Sequence, residues 1–284
     1  MANPTVQRRR LGNALKRARE AAGKTQDEAA AIIDAAASKI SRFELGQSGV
    51  RLTDLAHLLD FYGVTGEEAE SMRDLARAGR QRGRWSTYRD ALPGWFRQYV
   101  DLESDASEIR WYQSEVVPGI LQTGPYIRAI LDGGPSEEID RQVQVRLQRQ
   151  SALDESDSTE LSFVLSESAI RRTVGNAATM REQLAFLAEL SRRPGVTIQV
   201  LPFSARSYVS SVSFPFVMLR FDHDAASDVI YVEDYTDASY LDRPSDVRVY
   251  TRLWDELKAA ALGPVESRHL ITTVADQFRE ESGS

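Results

Sequence analysis

Residues 24–59 read KTQDEAAAIIDAAASKISRFELGQSGVRLTDLAHLL, and this stretch decides how the first third of the chain folds. Thr25, followed three residues later by Glu28, is a capping box: the hydroxyl takes an early helix amide and the glutamate reaches back. Ala29, Ile32 and Ile33 then supply the inner face of a helix. Asp34 marks a break, and a helix over 37–43 turns Ile40 and Phe43 inward. Gly46 ends it as a residue free to enter the left-handed region. A further helix over 52–62 buries Leu52, Leu55, Leu58 and Leu59, and Gly63 closes it.

Working outward, Leu11, Leu15, Ala18 and Ala22 recur at steps of four, three and four, which predicts a helix over 11–22 stopped by Gly23. Downstream, 67–78 forms a fifth helix with Met72 and Leu75 inward. Five short helices, two of them joined by a tight turn, have the geometry of a helix-turn-helix DNA reader.

The same stretch resembles the lambda-repressor/Cro-like (XRE) helix-turn-helix family over roughly residues 10–64. Gln26 opens the second helix, Ser38-x-Ile40-Ser41-Arg42-Phe43-Glu44 fills the third, and Gly46 follows. The resemblance implies DNA contacts at Thr25, Gln26, Ala37, Ser38, Lys39, Ser41, Arg42 and Gln47. Gln26 would donate to a phosphate, and Ala37, Ser38, Lys39 and Arg42 would face the major groove. Arg42 suits a bidentate contact to guanine, Lys39 guanine or phosphate, and Ser41 and Gln47 the backbone. Arg19 and Glu44 would form a structural pair joining the first helix to the third. Family members usually carry a small polar residue where Ala36 stands. With alanine at 35, 36 and 37, specificity would rest on few contacts, thymine methyls or DNA shape.

Composition narrows the function. The 284 residues are 42% hydrophobic and 27% charged, which suits packed cores. Cysteine is absent, removing disulfides, thiol nucleophiles and thiolate metal sites. His57, His223 and His269 lie far apart with no H-x-x-x-H pairing, so neither a zinc hydrolase nor another metal site is expected. There is no G-x-S-x-G, P-loop or G-x-G-x-x-G, and the chain is expected not to be an enzyme, with no catalytic residues and no cofactor. No run is long and apolar enough for a membrane helix, and a cytoplasmic protein is expected. Net charge is −7, unevenly shared. Residues 1–84 hold 15 Lys and Arg against 11 Asp and Glu, and the remainder 20 against 31. A basic end on an acidic body suggests that the N-terminal part meets a polyanion.

Residues 77–89 read RAGRQRGRWSTYR, a linker or basic arm that either follows phosphates or pairs with the acidic body. Aromatics follow at Trp85, Tyr88, Trp95, Phe96, Tyr99, Trp111 and Tyr112, spaced more like a buried helix face than a stacking platform. Beyond them come helices from about 125, with Thr123 as cap, and at 136–153, 177–192, 244–261 and 264–278. Strands are expected at 160–165, 196–201, 214–221, 229–233 and 238–241. The acidic string Asp222, Asp224, Asp228, Glu233, Asp234 and Asp237 matches no cation loop and reads as a charged sheet edge.

VVPGILQTGPYIRAIL at 116–131, MREQLAFLAELSRRPGVTIQVLPF at 180–203, and DVIYVED with YLDRPSDVRVYTRLWDELKAAAL at 228–262 resemble the body of WhiJ-like actinobacterial regulators. That resemblance implies an antitoxin-like transcriptional regulator whose body binds a small protein encoded nearby. The expected architecture is multidomain: an all-α helix-turn-helix head of five helices at 1–76, a basic linker at 77–92, and an α+β regulatory body at 93–284 with a small, mostly late-strand sheet. Its partners would be a two-fold operator in double-stranded DNA, a second copy of the chain and a small protein. Two other readings stay open: a body that senses a small-molecule metabolite, and a module whose main task is capturing a toxin-like protein.

Overall fold

The computed structural model describes residues 4–80, 94–154, 159–205, 214–221 and 228–280. Packing separates two units, with the boundary between Asp105 and Ala106.

The first unit is helical: α1 (Pro4–Ala21), α2 (Gln26–Ile32), α3 (Ala37–Glu44), α4 (Leu52–Tyr62), α5 (Gly66–Ala78) and α6 (Gly94–Glu103). Its core joins Leu11 and Leu15 of α1, Ala29 and Ala30 of α2, Ile40 and Phe43 of α3, Leu55, Leu58 and Leu59 of α4, and Met72 of α5. Helix α1 starts seven residues earlier than its apolar stripe predicts. Pro4 fits a first turn, and the polar Gln7 and Arg9 are nonetheless buried. Arg8 Nε donates to the carbonyl of Gly79 at 2.6 Å, tying the start of α1 to the end of α5.

Two residues expected inside are exposed: Ile32 and Leu52. Both stand at helix ends, Ile32 last in α2 and Leu52 first in α4, and Ala30 takes the inward position in α2. Two glycines set the approach of α1 to α3. A Cβ on Gly12 would lie 2.5 Å from the Phe43 carbonyl oxygen and 2.6 Å from that of Glu44. Gly46, at φ +68°, would place one 2.7 Å from Arg9 Cα.

Helix α6 belongs with the first unit and packs on α1, whereas composition puts the start of the body at 93. Tyr99 is fully buried and donates to Glu103 Oε1 at 2.7 Å, and Phe96 stacks on it at 5.1 Å between ring centroids. Trp85, Tyr88 and most of the basic linker lie outside the described residues.

The second unit is α+β. Its elements are β1 (Glu108–Gln113), a 3-10 turn (Gly119–Leu121), α7 (Gly124–Ile130), α8 (Ser136–Asp154), β2 (Glu160–Ser166), α9 (Glu167–Arg171), α10 (Ala177–Leu190), β3 (Val196–Leu201), β4 (Phe216–Arg220), β5 (Val229–Glu233), β6 (Ala238–Leu241), α11 (Pro244–Ala260) and α12 (Pro264–Glu280). The strands form one sheet in the order β3-β2-β1-β4-β5-β6. β1, β2 and β3 run parallel, and β4, β5 and β6 alternate antiparallel from β1 outward.

Strand β1 is not among the strands that the sequence pattern predicts, and it stands inside the sheet. Its aromatics split by strand period. Tyr112 joins Val164, Phe216, Met218, Ile230 and Trp254 on one face. Trp111 packs on the other with Phe163, Leu165, Ile198 and Val200, under α10 and α12. Helices therefore cover both faces, which is why Phe163, Val164 and Leu165 are buried in succession.

The acidic string is not a sheet edge. β5 is interior, and the acids have separate tasks. Asp228 pairs with Arg220, Glu233 accepts from the Tyr231 hydroxyl at 2.8 Å, and Asp234 Oδ1 accepts the amides of Thr236 and Asp237 in the β5–β6 turn. Asp222, His223 and Asp224 lie outside the described residues. Thr123 does occupy the N-cap of α7, but its hydroxyl makes no capping bond. The Thr123 amide instead donates to the fully buried Gln183 at 2.7 Å, whose own amide donates to Leu121 O at 2.7 Å.

Candidate nucleic-acid interface

The interface is built from α2, the turn after it, and α3. The capping box forms as its residues dictate. The Thr25 hydroxyl accepts from the Glu28 amide at 3.2 Å, and the Thr25 amide donates to Glu28 Oε2 at 2.8 Å. That amide, and then the Thr25 hydroxyl, hold the Glu28 carboxyl below the usual carboxylate range. In the turn, Asp34 adopts φ +49°, and the Ala35 amide returns to Ala30 O at 3.0 Å. Helix α3 closes with a Schellman pattern: the Gln47 amide donates to Arg42 O at 2.9 Å, and the Gly46 amide to Phe43 O at 3.0 Å.

Helix α3 has a sharply divided surface. Ile40, Phe43 and Glu44 are buried, while Ser38, Arg42 and, beyond the helix, Gln47 are exposed. Ala37, Lys39 and Ser41 lie half-buried between them. Arg42 Nε reaches back to Ser38 O at 3.3 Å and, among the described residues, makes no ion pair.

Beneath this surface lies a polar knot. Glu44 takes two hydrogen bonds from Arg19, Nε to Oε1 at 2.6 Å and Nη2 to Oε2 at 3.1 Å. Arg19 Nη1 donates to Lys24 O at 2.8 Å, and Gln26 Nε2 donates to Glu44 Oε2 at 2.8 Å. The Glu44 hydrogen bond holds the Arg19 guanidinium above its ordinary value. Burial pushes the nearby Tyr62 hydroxyl up to about 12.

The structure thus brings Gln26, Ser38, Ser41 and Arg42 onto or beside one face, and leaves Gln47 exposed just past the end of α3. It also commits some of the sequence-derived set to protein contacts: Thr25 to the capping box, Gln26 partly to Glu44, and Lys39 to Asp54 at 2.9 Å. Asp54 is not part of that sequence-derived set. It lies on a different helix, and no spacing rule connects it to Lys39.

Residues 10–72 match the family model described as a helix-turn-helix domain. Residues 96–273 match the one described as a domain of unknown function (DUF5753). The chain belongs to the DUF5753 family. In this DUF5753 protein the head is a DNA-binding helix-turn-helix domain, and the α+β body carries the family match, which begins inside α6. No curated protein and no solved structure matches the chain. Among the described residues no group of three or more His, Asp and Glu could hold a metal ion, and no helix is long and apolar enough to cross a membrane.

Proposed function

We propose that the protein is a sequence-specific transcriptional regulator of the cytoplasm, antitoxin-like in its organisation, and not an enzyme. Helix α3 enters the major groove. Ser38 and Arg42 meet base edges, Ala37 offers a methyl to thymine, and Gln26, Ser41 and Gln47 hold phosphates. An amide NH2 carries two hydrogens, so Gln26 can rest on Glu44 and still donate to DNA. The observation that carries this reading is the division of α3, with Ile40, Phe43 and Glu44 inside and Ser38 and Arg42 outside. One such head reads few base pairs, so a dimer on a two-fold site is part of the proposal, with the body supplying dimer contacts and the surface for a small protein partner. The WhiJ-like resemblance of the body supports that partner.

Selection of bound duplexes from a random library tests the reading, followed by Arg42→Ala. The variant is expected to lose about 1–3 kcal/mol on the selected site and to relax its preference at one base pair. An unchanged preference overturns it. Sedimentation of the full chain tests the dimer, and co-purification with the product of an adjacent small gene tests the partner.

A second reading, a body that senses an anionic metabolite, is favoured by Arg146 and Arg149, one turn apart on α8. Burial, then the Arg149 charge, pushes Arg146 down to about 10 against the opposing charge of Glu233, and its Nη1 rests on neutral Gln122 at 2.5 Å. A thermal-shift screen of small anions tests it, since a ligand preferring the folded state raises the melting temperature.

A further inference from the structure

Lys39 sits within the reading helix, yet its ammonium is engaged by the protein itself. Nζ lies 2.9 Å from Asp54 Oδ2 on α4 and 5.5 Å from the centroid of the Phe43 ring. The Lys39 side chain is 34% exposed and that of Asp54 16%, so both ends of the pair are partly withdrawn from water. Asp54 lies in the first turn of α4, where the helix dipole also favours a carboxylate. Two features therefore hold this lysine to the protein: a carboxylate and an aromatic face.

Arg42, one turn further along, has no such clasp. Among the described residues it donates to a backbone carbonyl only, and its guanidinium stays exposed. The two cations of α3 therefore differ in what they offer a polyanion. Arg42 is a full positive charge, and Lys39 is half of a neutral pair.

We infer that Asp54 is a specificity-determining residue of the DNA interface: it neutralises Lys39, withdrawing one cation from indiscriminate phosphate attraction and leaving discrimination to Arg42 and Ser38. This rests on the reading of α3 as the recognition helix. If Lys39 swung out to grip a phosphate, it would leave Asp54 as a bare carboxylate beside the DNA, and that repulsion offsets the gain. Non-specific affinity follows the number of phosphates neutralised, so removing one cation lowers binding to random sequence more than to a site read through base edges. A repulsive element of this kind sharpens selectivity without adding a contact.

The test compares wild type and Asp54→Asn in the full chain, on a random-sequence duplex and on the duplex selected with the wild type, over a range of salt concentrations. For Asp54→Asn we expect the salt slope on random duplex to steepen by about one and affinity there to rise about fivefold near 0.1 M salt. The selected duplex should gain less, so the ratio between the two narrows. In a Lys39→Met background, Asp54→Asn should steepen the slope clearly less than it does with Lys39 present, because it then relieves only the repulsion of an unpaired carboxylate and frees no cation. An unchanged slope in a variant that melts like the wild type overturns the inference, as does an equal steepening without Lys39. Should Asp54→Asn not fold, Asp54→Ser, which keeps an oxygen in the first turn of α4, is read by the same criteria. A wild type that binds no duplex at low salt is a different result: it removes the recognition-helix reading, and this inference with it.

Discussion

The side-chain nitrogen of Gln26 lies 2.8 Å from Glu44 Oε2, so the first residue of α2 is fastened to the last residue of α3. Because Arg19 of α1 grips the same carboxylate, one buried acid sets the mutual angle of three helices. The recognition surface is thus oriented from behind by the buried Arg19–Glu44 pair, with Gln26 joining that pair to the proposed DNA-facing side.

Replacing Glu44 by Gln should cost the head about 3 kcal/mol, because the mostly buried Arg19 guanidinium loses its buried counter-charge and keeps only the exposed Glu20 at 3.6 Å. Hydrogen-exchange protection of the α1 and α3 amides in the full chain measures this apart from the body's own unfolding. A loss below about 1 kcal/mol would show that water replaces the pair without penalty.

Gly12→Ala separates two opposed effects. Helix propensity alone favours alanine by about 1 kcal/mol. The close approach to the Phe43 and Glu44 carbonyls opposes it, since backbone must move to admit a Cβ at 2.5 Å. We expect net destabilisation of about 1–3 kcal/mol and a lower melting temperature. A higher one would mean that α1 slides off α3 at little cost.

The capping box makes the head sensitive to acid. Glu28 is held below its ordinary value, so its contribution is present above the unfolded carboxylate pKa of about 4.3 and fades as pH falls through the lower folded value. Between about pH 6 and 3, α2 should therefore lose protection, and Glu28→Gln should lack that part of the pH slope. Identical acid limbs for the two proteins would remove Glu28 as the titrating group.

In the body, Gln183→Leu leaves the Thr123 amide and the Leu121 carbonyl without the side chain that satisfies both. One buried and one half-buried group left unpaired predict a loss of about 2–4 kcal/mol, read by urea denaturation. Gln183→Glu should recover part of it, keeping an acceptor for Thr123 while losing the donor to Leu121.

Much of the head is legible in the amino-acid sequence alone. The capping box, the inward Ile40 and Phe43 and the left-handed Gly46 each follow from residue type at fixed spacing, while the Arg19–Glu44 pair is implied by the family resemblance alone. The first two turns of α1 do not, because Arg8, Arg9 and Arg10 interrupt any apolar stripe although Arg9 is buried. Strand β1 hides for a related reason. The half-buried Trp111 and the buried Tyr112 pack on opposite faces of a sheet covered on both sides, so no polar alternation marks it, and they continue the aromatic run of α6. Asp54, Gln183 and the inner position of β5 depend on partners far away in sequence. Local periodicity carries no trace of such pairs.

The position of β1 also imposes an order in time. Its neighbours are β2 and β4, and the Glu108–Arg220 bridge between β1 and β4 spans 112 residues. A ribosome adding roughly 5–20 residues per second needs on the order of 6–20 s to deliver the far side of that pairing. The head's contacts lie close along the chain and close early, so the nascent protein carries a finished DNA-reading module while its sheet still waits for a partner strand.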